Sequence, residues 1–215
     1  AVTVDQRGVP RAQGNAPDIG AYEVVFIAYV DDDYTAESCG GHVWGQDAFA
    51  TLATAIAAVA DSGTIRVAAG TYAGGQTING SLTFEGANKD VAGYGTRGPE
   101  SVITTTIHVK GQNNTVSFNG FQFTASNYAL LYGAAPSTTD WIFKNNLVAG
   151  GSGCACYNEG TSNWRDVTVV SNMFTVTGGS SALRLANVRN LSVKDNRFTG
   201  GFNALQLVGA SGDVL

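Results

Sequence analysis

The segments VSFNGF (116–121), IFKNNL (142–147), VVSNMF (169–174) and VKDNRF (193–198) are four versions of one phrase, V-x-x-N-x-F, in the second half of this 215-residue chain. Their asparagines, Asn119, Asn145, Asn172 and Asn196, follow one another at 26, 27 and 24 residues. Self-similarity at a near-constant period of this length marks a chain that stacks supersecondary units on one another. Each period has room for several short strands and their turns. An asparagine that recurs once per period suits a turn, because Asn tolerates left-handed backbone and can hydrogen-bond along a stack. Asp213-Val214-Leu215 matches the openings Asp140-Trp141-Ile142 and Asp166-Val167, as the start of a fifth copy that is interrupted at Leu215.

Working outward, a second strand per period reads in YALLY (128–132), CACYN (154–158), ALRL (182–185) and ALQL (204–207). Period-two alternation points Leu183, Leu185, Leu205 and Leu207 inward and Arg184 and Gln206 outward. Upstream, SLTFEG (81–86) aligns with TVSFNG (115–120), with an excursion through Ala87–Pro99 between them. Nearer the start, Phe26–Val30 reads as a strand and Asp31–Gly45 as a polar loop. Ala48–Ala60 carries Phe49, Leu52, Ile56 and Val59 at spacings of 3, 4 and 3. That spacing predicts one apolar helical face, with Asp47 as N-cap and Gly63 as terminator, before a strand in TIRVAAGTY (64–72).

Composition agrees with stacked short strands. Only 13% of residues are charged, while there are 28 Gly, four Pro and sixteen Asn, which favours tight turns over a helical bundle. The net charge of −5 argues against a nucleic-acid partner, since neutralising phosphates needs clustered Lys and Arg. No apolar run reaches the roughly 18 residues of a membrane span. Three cysteines, Cys39, Cys154 and Cys156, are too few for a disulfide scaffold and are not spaced for zinc. Either they are small buried hydrophobes, or Cys39 bridges one of the other two, Cys154 being the candidate partner.

Residues 1–25 read as an ending: AVTVDQRGVPRAQGNAPDIGAYEVV resembles the closing motif DQRG-x-PR…DIGAYE of many secreted bacterial right-handed β-helix proteins, through Asp5, Gln6, Arg7, Gly8, Pro10, Arg11 and Asp18 to Glu23. The order YVDDD, polar loop, amphipathic helix, GTIRVAAGTY resembles the opening of pectin-lyase-like β-helices, where the helix covers the first coil. The resemblance implies an all-β, right-handed parallel β-helix with a short capping helix and an extended N-terminal arm. Its parts would be the arm at 1–25, an opening segment at 26–63, and about six to seven coils over 64–215 whose C-terminal end is uncapped. At about 4.8 Å per stacked strand the coils would extend on the order of 30 Å. The resemblance also implies an extracellular or cell-surface location.

Many β-helix families cut acidic polysaccharides, which needs paired carboxylates or a calcium cluster. Asp140, Asp166, Asp195 and Glu159 are the carboxylates available. Asp140 and Asp166 share a strand-start position, where turn and capping roles are common. Asp31-Asp32-Asp33 is the densest acidic run and a weak calcium candidate, without EF-hand spacing, so that a solvated turn is the preferred reading. His42 and His108 have no motif partners for a nucleophilic triad. Arg184, Arg189, Lys194 and Arg197 form a local basic group, and Tyr157, Arg184 and Gln206 occupy matching positions that could bind glycans.

The sequence therefore reads foremost as a non-catalytic structural or adhesive protein without a cofactor. It would be a subunit stacking head-to-tail into a filament, or a window of a longer β-helix array. Its partners would be copies of itself or adjacent β-helix domains, and the contacts would lie on Asp5, Arg7, Arg11, Asp18, Ile19 and Tyr22 of the arm and Asp213, Val214 and Leu215 at the far end. The alternative is a polysaccharide-active enzyme or a glycan-binding module.

Overall fold

The computed structural model describes residues 25–110, 113–125, 128, 130–132, 139–149, 156–158, 165–177, 181–209 and 211–214. Among them the chain forms short strands and one helix, α1 (Leu52–Ala58). The strands assemble into three sheets, and every pairing between them is parallel.

The first sheet has the order β2 (Ala48–Phe49), β1 (Val25–Val30), β3 (Val59–Val67), β6 (Leu82–Glu85), β9 (Asn114–Asn119), β12 (Thr139–Lys144), β15 (Val167–Val170), β18 (Arg189–Lys194) and β21 (Ser211–Val214). The second contains β4 (Gly70–Tyr72), β7 (Ser101–Ile103), β10 (Gln122–Phe123), β13 (Leu147–Ala149), β16 (Met173–Val176) and β19 (Arg197–Gly200). The third contains β5 (Thr77–Ile78), β8 (Ile107–Val109), β11 (Leu130–Tyr132), β14 (Cys156–Asn158), β17 (Ser181–Ala186) and β20 (Asn203–Val208). From β3 onward the chain visits the sheets in strict rotation, so each strand pairs with the strand three places on. Six such cycles are described, and β21 begins another.

The core is made by the inward rows. Ile65, Phe84, Phe118, Phe143 and Val169 stand in register along the first sheet and are fully buried. Phe84 stacks on Phe118 with centroids 4.5 Å apart, and Phe174 on Phe198 at 5.0 Å. A buried Phe contributes about 1.5–3 kcal/mol through removal from water, so one aromatic per cycle is a major part of the driving force. The alternation expected at 182–207 holds: Leu183 and Leu185 are buried and Arg184 points outward, while Leu205 and Leu207 pack partly buried on the same core.

The structure shifts three sequence-based expectations. First, the phrase V-x-x-N-x-F is not one strand: it leaves the first sheet, turns at the asparagine and enters the second. A period therefore holds three strands, and the segments at 128–132, 154–158, 182–185 and 204–207 belong to the third sheet. Second, the register of the two earlier copies moves. Phe118 pairs with Phe143, Phe143 with Val169 and Val169 with Val193, so Asn172 and Asn196 are matched by Asn146 and then Phe121, not by Asn145 and Asn119. By contrast, the alignment of SLTFEG with TVSFNG stands, with Leu82 on Val116 and Glu85 on Asn119. The proposed fifth copy also keeps register, with Val214 opposite Leu191.

Third, the helix is shorter than the apolar spacing predicts. Ala48–Phe49 pairs with β1 as an edge strand, Val59 already pairs with Val25, and the N-cap is Thr51, whose side chain accepts from Thr54 N at 3.2 Å. Asp47 is instead tied to the loop, accepting from Val43 N at 2.7 Å. Leu52 and Ala55 are the helix residues that enter the core. Likewise TIRVAAGTY divides between β3 and β4.

Candidate functional site

Polar residues gather at three places: the corner between the first two sheets, one register row of the third sheet, and the surface beside the polar loop.

At the corner each of the last four cycles has one residue of left-handed backbone, Gly120, Asn145, Ser171 and Asp195 in turn. The residue after it points inward, and in the last three cycles it is Asn146, Asn172 and Asn196. Asn172 donates through Nδ2 to the Phe143 carbonyl at 2.8 Å and accepts from Asn146 N at 2.8 Å. Asn196 repeats this one cycle on, donating to the Val169 carbonyl at 2.7 Å and accepting from Asn172 N at 2.9 Å. Asn146 donates to the Phe118 carbonyl at 3.1 Å and accepts from Phe121 N at 2.9 Å, closing the ladder. Asn146 and Asn172 are fully buried, and their amides satisfy strand ends that the turn would otherwise orphan.

The excursion Ala87–Pro99 lies across the outside of this corner as a strap. Its backbone reaches two later cycles, Asn88 N donating to Gly120 O at 3.3 Å and Gly93 N to Ser171 O at 2.8 Å. Tyr94 then sits under the Arg197 guanidinium, 4.1 Å from ring centroid to Cζ. Arg97 is 7% exposed and makes a two-pronged pair with Glu100 at 2.6 and 2.8 Å, and it also donates to the carbonyls of Val91, Asn145 and Phe121. Its charge is thus matched and its donors used, as burial requires. A Cβ on Gly93 would come 2.2 Å from Asn146 O, and one on Gly120 2.2 Å from Lys89 N, so side chains at either position would lift the strap off the corner.

On the third sheet, Thr77, His108, Leu131, Tyr157, Arg184 and Gln206 are consecutive members of one row. The expected glycan-binding trio Tyr157, Arg184 and Gln206 is therefore in register along the backbone. The Gln206 Oε1 accepts from the Ser181 hydroxyl at 3.2 Å. The local basic group is split: Arg184 stands on the third sheet, Arg189 and Lys194 on the first, and Arg197 on the second, over Tyr94 of the strap.

Beside the polar loop, the outward row Tyr29, Arg66, Glu85 crosses the first sheet. Arg66 donates to Glu85 Oε2 and to the Tyr29 hydroxyl, each at 3.2 Å, and Lys89 pairs with Glu85 Oε1 at 2.5 Å. Burial pushes the Glu85 carboxyl up, but the hydrogen bonds and charges of Lys89 and Arg66 more than offset it, leaving Glu85 below the ordinary carboxylate value. On its other side the Tyr29 ring stacks on His42 at 3.7 Å, and His42 Nδ1 lies 3.2 Å from Asp47 Oδ2. Tyr34 completes the group, its phenol raised above the ordinary value by burial and then by the nearby Asp31, Cys39 and Asp47. A cavity of about 320 Å³ opens among Tyr29, Tyr34, Arg66, Glu85 and Lys89. Of this group the sequence points to His42 and not to the row beside it. The pairing of Tyr29, Arg66 and Glu85 depends on register between strands 19 to 37 residues apart, which carries no local signal.

The remaining candidates have structural occupations. Asp31 Oδ1 accepts from Asp33 N at 3.0 Å, and Asp32 Oδ2 accepts from Thr71 N at 2.9 Å on the edge strand β4. Among the described residues no group of three or more His, Cys, Asp or Glu is placed to hold a metal ion. Asp166 N donates to Asp140 Oδ1 at 3.4 Å, and Asn190 Nδ2 to Asp166 Oδ1 at 2.9 Å, so both acids cap neighbouring strand starts. Cys39 is a free thiol that donates to the His42 carbonyl at 2.9 Å, and its candidate partner Cys154 lies outside the described residues. Asp5, Arg7, Arg11, Asp18, Ile19, Tyr22 and Leu215 also lie outside them, while Asp213 and Val214 are described through their backbone in β21. Among the described residues no helix is long and apolar enough to cross a membrane.

The chain matches no protein-family model, no curated protein and no solved structure.

Proposed function

We propose that the three sheets close into a right-handed parallel β-helix, and that the chain is a non-catalytic structural or adhesive module acting outside the cell. Right-handed crossovers are nearly universal between parallel strands, and strict rotation through three sheets is the strand order such a helix produces. The observation that carries the functional reading is the use made of the acids. Asp32, Asp61, Asp140 and Asp166 each accept a hydrogen bond from another strand or turn, and Glu85 and Glu100 are held by cations. Carboxylates committed to bracing are poorly placed to serve as a converging acid and base.

In this reading copies of the chain, or adjacent β-helix domains, add strand to strand, with residues 1–25 and the β21 end as the contacts. Sedimentation velocity over a hundredfold concentration range, with negative-stain imaging, tests it. End-to-end oligomers that shorten when Arg7 and Arg11 are changed to Ala are the expected result. A strictly monomeric protein at every concentration would remove self-stacking from the proposal.

A second reading, glycan binding or polysaccharide cleavage, is favoured by the row Tyr157, Arg184 and Gln206. A polysaccharide panel assayed for retention and for new chain ends tests it. Retention lost in Arg184→Ala supports binding, and turnover abolished in Asp140→Asn would overturn the non-catalytic reading.

A further inference from the structure

The pocket beside the polar loop stands apart from the asparagine ladder and from the third-sheet row. It lies between Tyr34 of the loop and Lys89 at the start of the strap, with the row Tyr29, Arg66, Glu85 along it. Two cations here share one carboxylate, so together they offer more N–H donors than Glu85 can accept. Glu85 is the covered member, its side chain 17% exposed, whereas Arg66 and Lys89 are 47% and 43% exposed. Arg66 commits Nε to Glu85 and Nη1 to Tyr29, and its Nη2 has no acceptor among the described residues. Lys89 commits one direction of its ammonium to Glu85. Glu85 thus fixes both cations while their remaining N–H groups stay available, a preorganised arrangement that lowers the ordering cost of binding. A planar guanidinium beside an ammonium suits one carboxylate or sulfate, and an adjacent tyrosine offers a flat face. The volume of about 320 Å³ is at the small end of ligand sites, the scale of a single ring with its substituents.

We propose that this pocket binds a monoanion carried on a ring, with the acidic group between Arg66 Nη2 and Lys89 Nζ and the ring against Tyr34. The anion could be supplied by a uronic acid or by an aromatic carboxylate, and the test separates the two. Chemical-shift titration of the full chain with glucuronate, with benzoate and with glucose reads all three at low salt. Saturable binding of at least one anion is expected, with glucose at least about tenfold weaker, and about tenfold weakening in Arg66→Gln and in Lys89→Gln. Raising the salt to about 0.5 M weakens the anion further, since both cations are exposed. Glucuronate alone identifies a sugar source, and benzoate alone an aryl one. The proposal is overturned if neither anion binds, if glucose binds as well as the anions, or if both variants bind like the parent. Lys89→Gln removes a half-exposed strap side chain and its pair with Glu85 while Arg66 still holds that carboxylate, so it decides the matter should Arg66→Gln unfold.

Discussion

The corner between the first two sheets and one register row of the third sheet treat repetition in opposite ways. At the corner the same side chain returns in three successive cycles, Asn146, Asn172 and Asn196, and performs the same two hydrogen bonds each time. Along the third sheet the register-matched residues are Thr77, His108, Leu131, Tyr157, Arg184 and Gln206, no two alike. The row Tyr29, Arg66, Glu85, Asn119, Lys144 on the first sheet is equally varied. A residue that recurs every cycle answers a requirement that the backbone repeats. A position that changes every cycle is released from that requirement, and specificity can be written there.

If that contrast is sound, damage should be graded by it. The largest loss is expected for Arg97→Ala, about 3–5 kcal/mol in urea unfolding, because the largely covered Glu100 and the carbonyls of Val91, Asn145 and Phe121 are left without their cation. A value near zero would mean that the strap does not brace the corner. Next comes the ladder. Asn146→Gly should cost about 2–3 kcal/mol by stranding the Phe118 carbonyl and Phe121 N–H, whereas Asn145→Gly, at a position with φ of 58°, should cost no more than about 1 kcal/mol. Equal costs for the two would sink the assignment of Asn146, and not Asn145, to the ladder.

A smaller, pH-dependent difference should follow Glu85. Its folded value is lowered, so its stabilisation is present above the unfolded value of about 4.3 and is lost as pH falls through the lower folded value. Glu85→Gln should therefore flatten the acid limb of a stability-versus-pH curve below about pH 4 and leave its slope at neutral pH unchanged. The smallest effect is expected for Arg165→Ala, within about 0.5 kcal/mol, since the Arg165–Asp140 contact is 3.7 Å long and its side chains are 45% and 31% exposed.

The period, the inward leucines and the parallel stacking were legible in the sequence because apolar alternation and spacing are local. The register of the first two copies was not. Asn suits two adjacent positions at this corner for different reasons, left-handed backbone at Asn145 and the ladder at Asn146, and the doublet hides which is which. In the preceding cycle Gly120 takes the first position and Phe121 the second, so Asn119 only imitates the phrase while facing outward under Asp90. The helix start misled for a related reason: Asp47 is a good N-cap by type, but pairing of Ala48–Phe49 with β1 delays the helix to Leu52. The strap gave no sequence signal beyond its length, because its partners, backbone carbonyls and side chains such as Asn119 and Arg197, lie one to four cycles downstream.

That strap alters how the molecule should respond to force. A pile of repeats joined only to adjacent repeats comes apart in instalments, each giving its own small peak under tension. In this chain Gly93 and Tyr94, which lie in sequence between β6 and β7, hold Ser171 and Arg197 several cycles downstream. A pull on the downstream cycles is carried back to the upstream ones before the first can peel. The expected trace is one tall rupture where a sawtooth would otherwise appear, with the sawtooth restored when Gly93 is replaced by a bulkier residue.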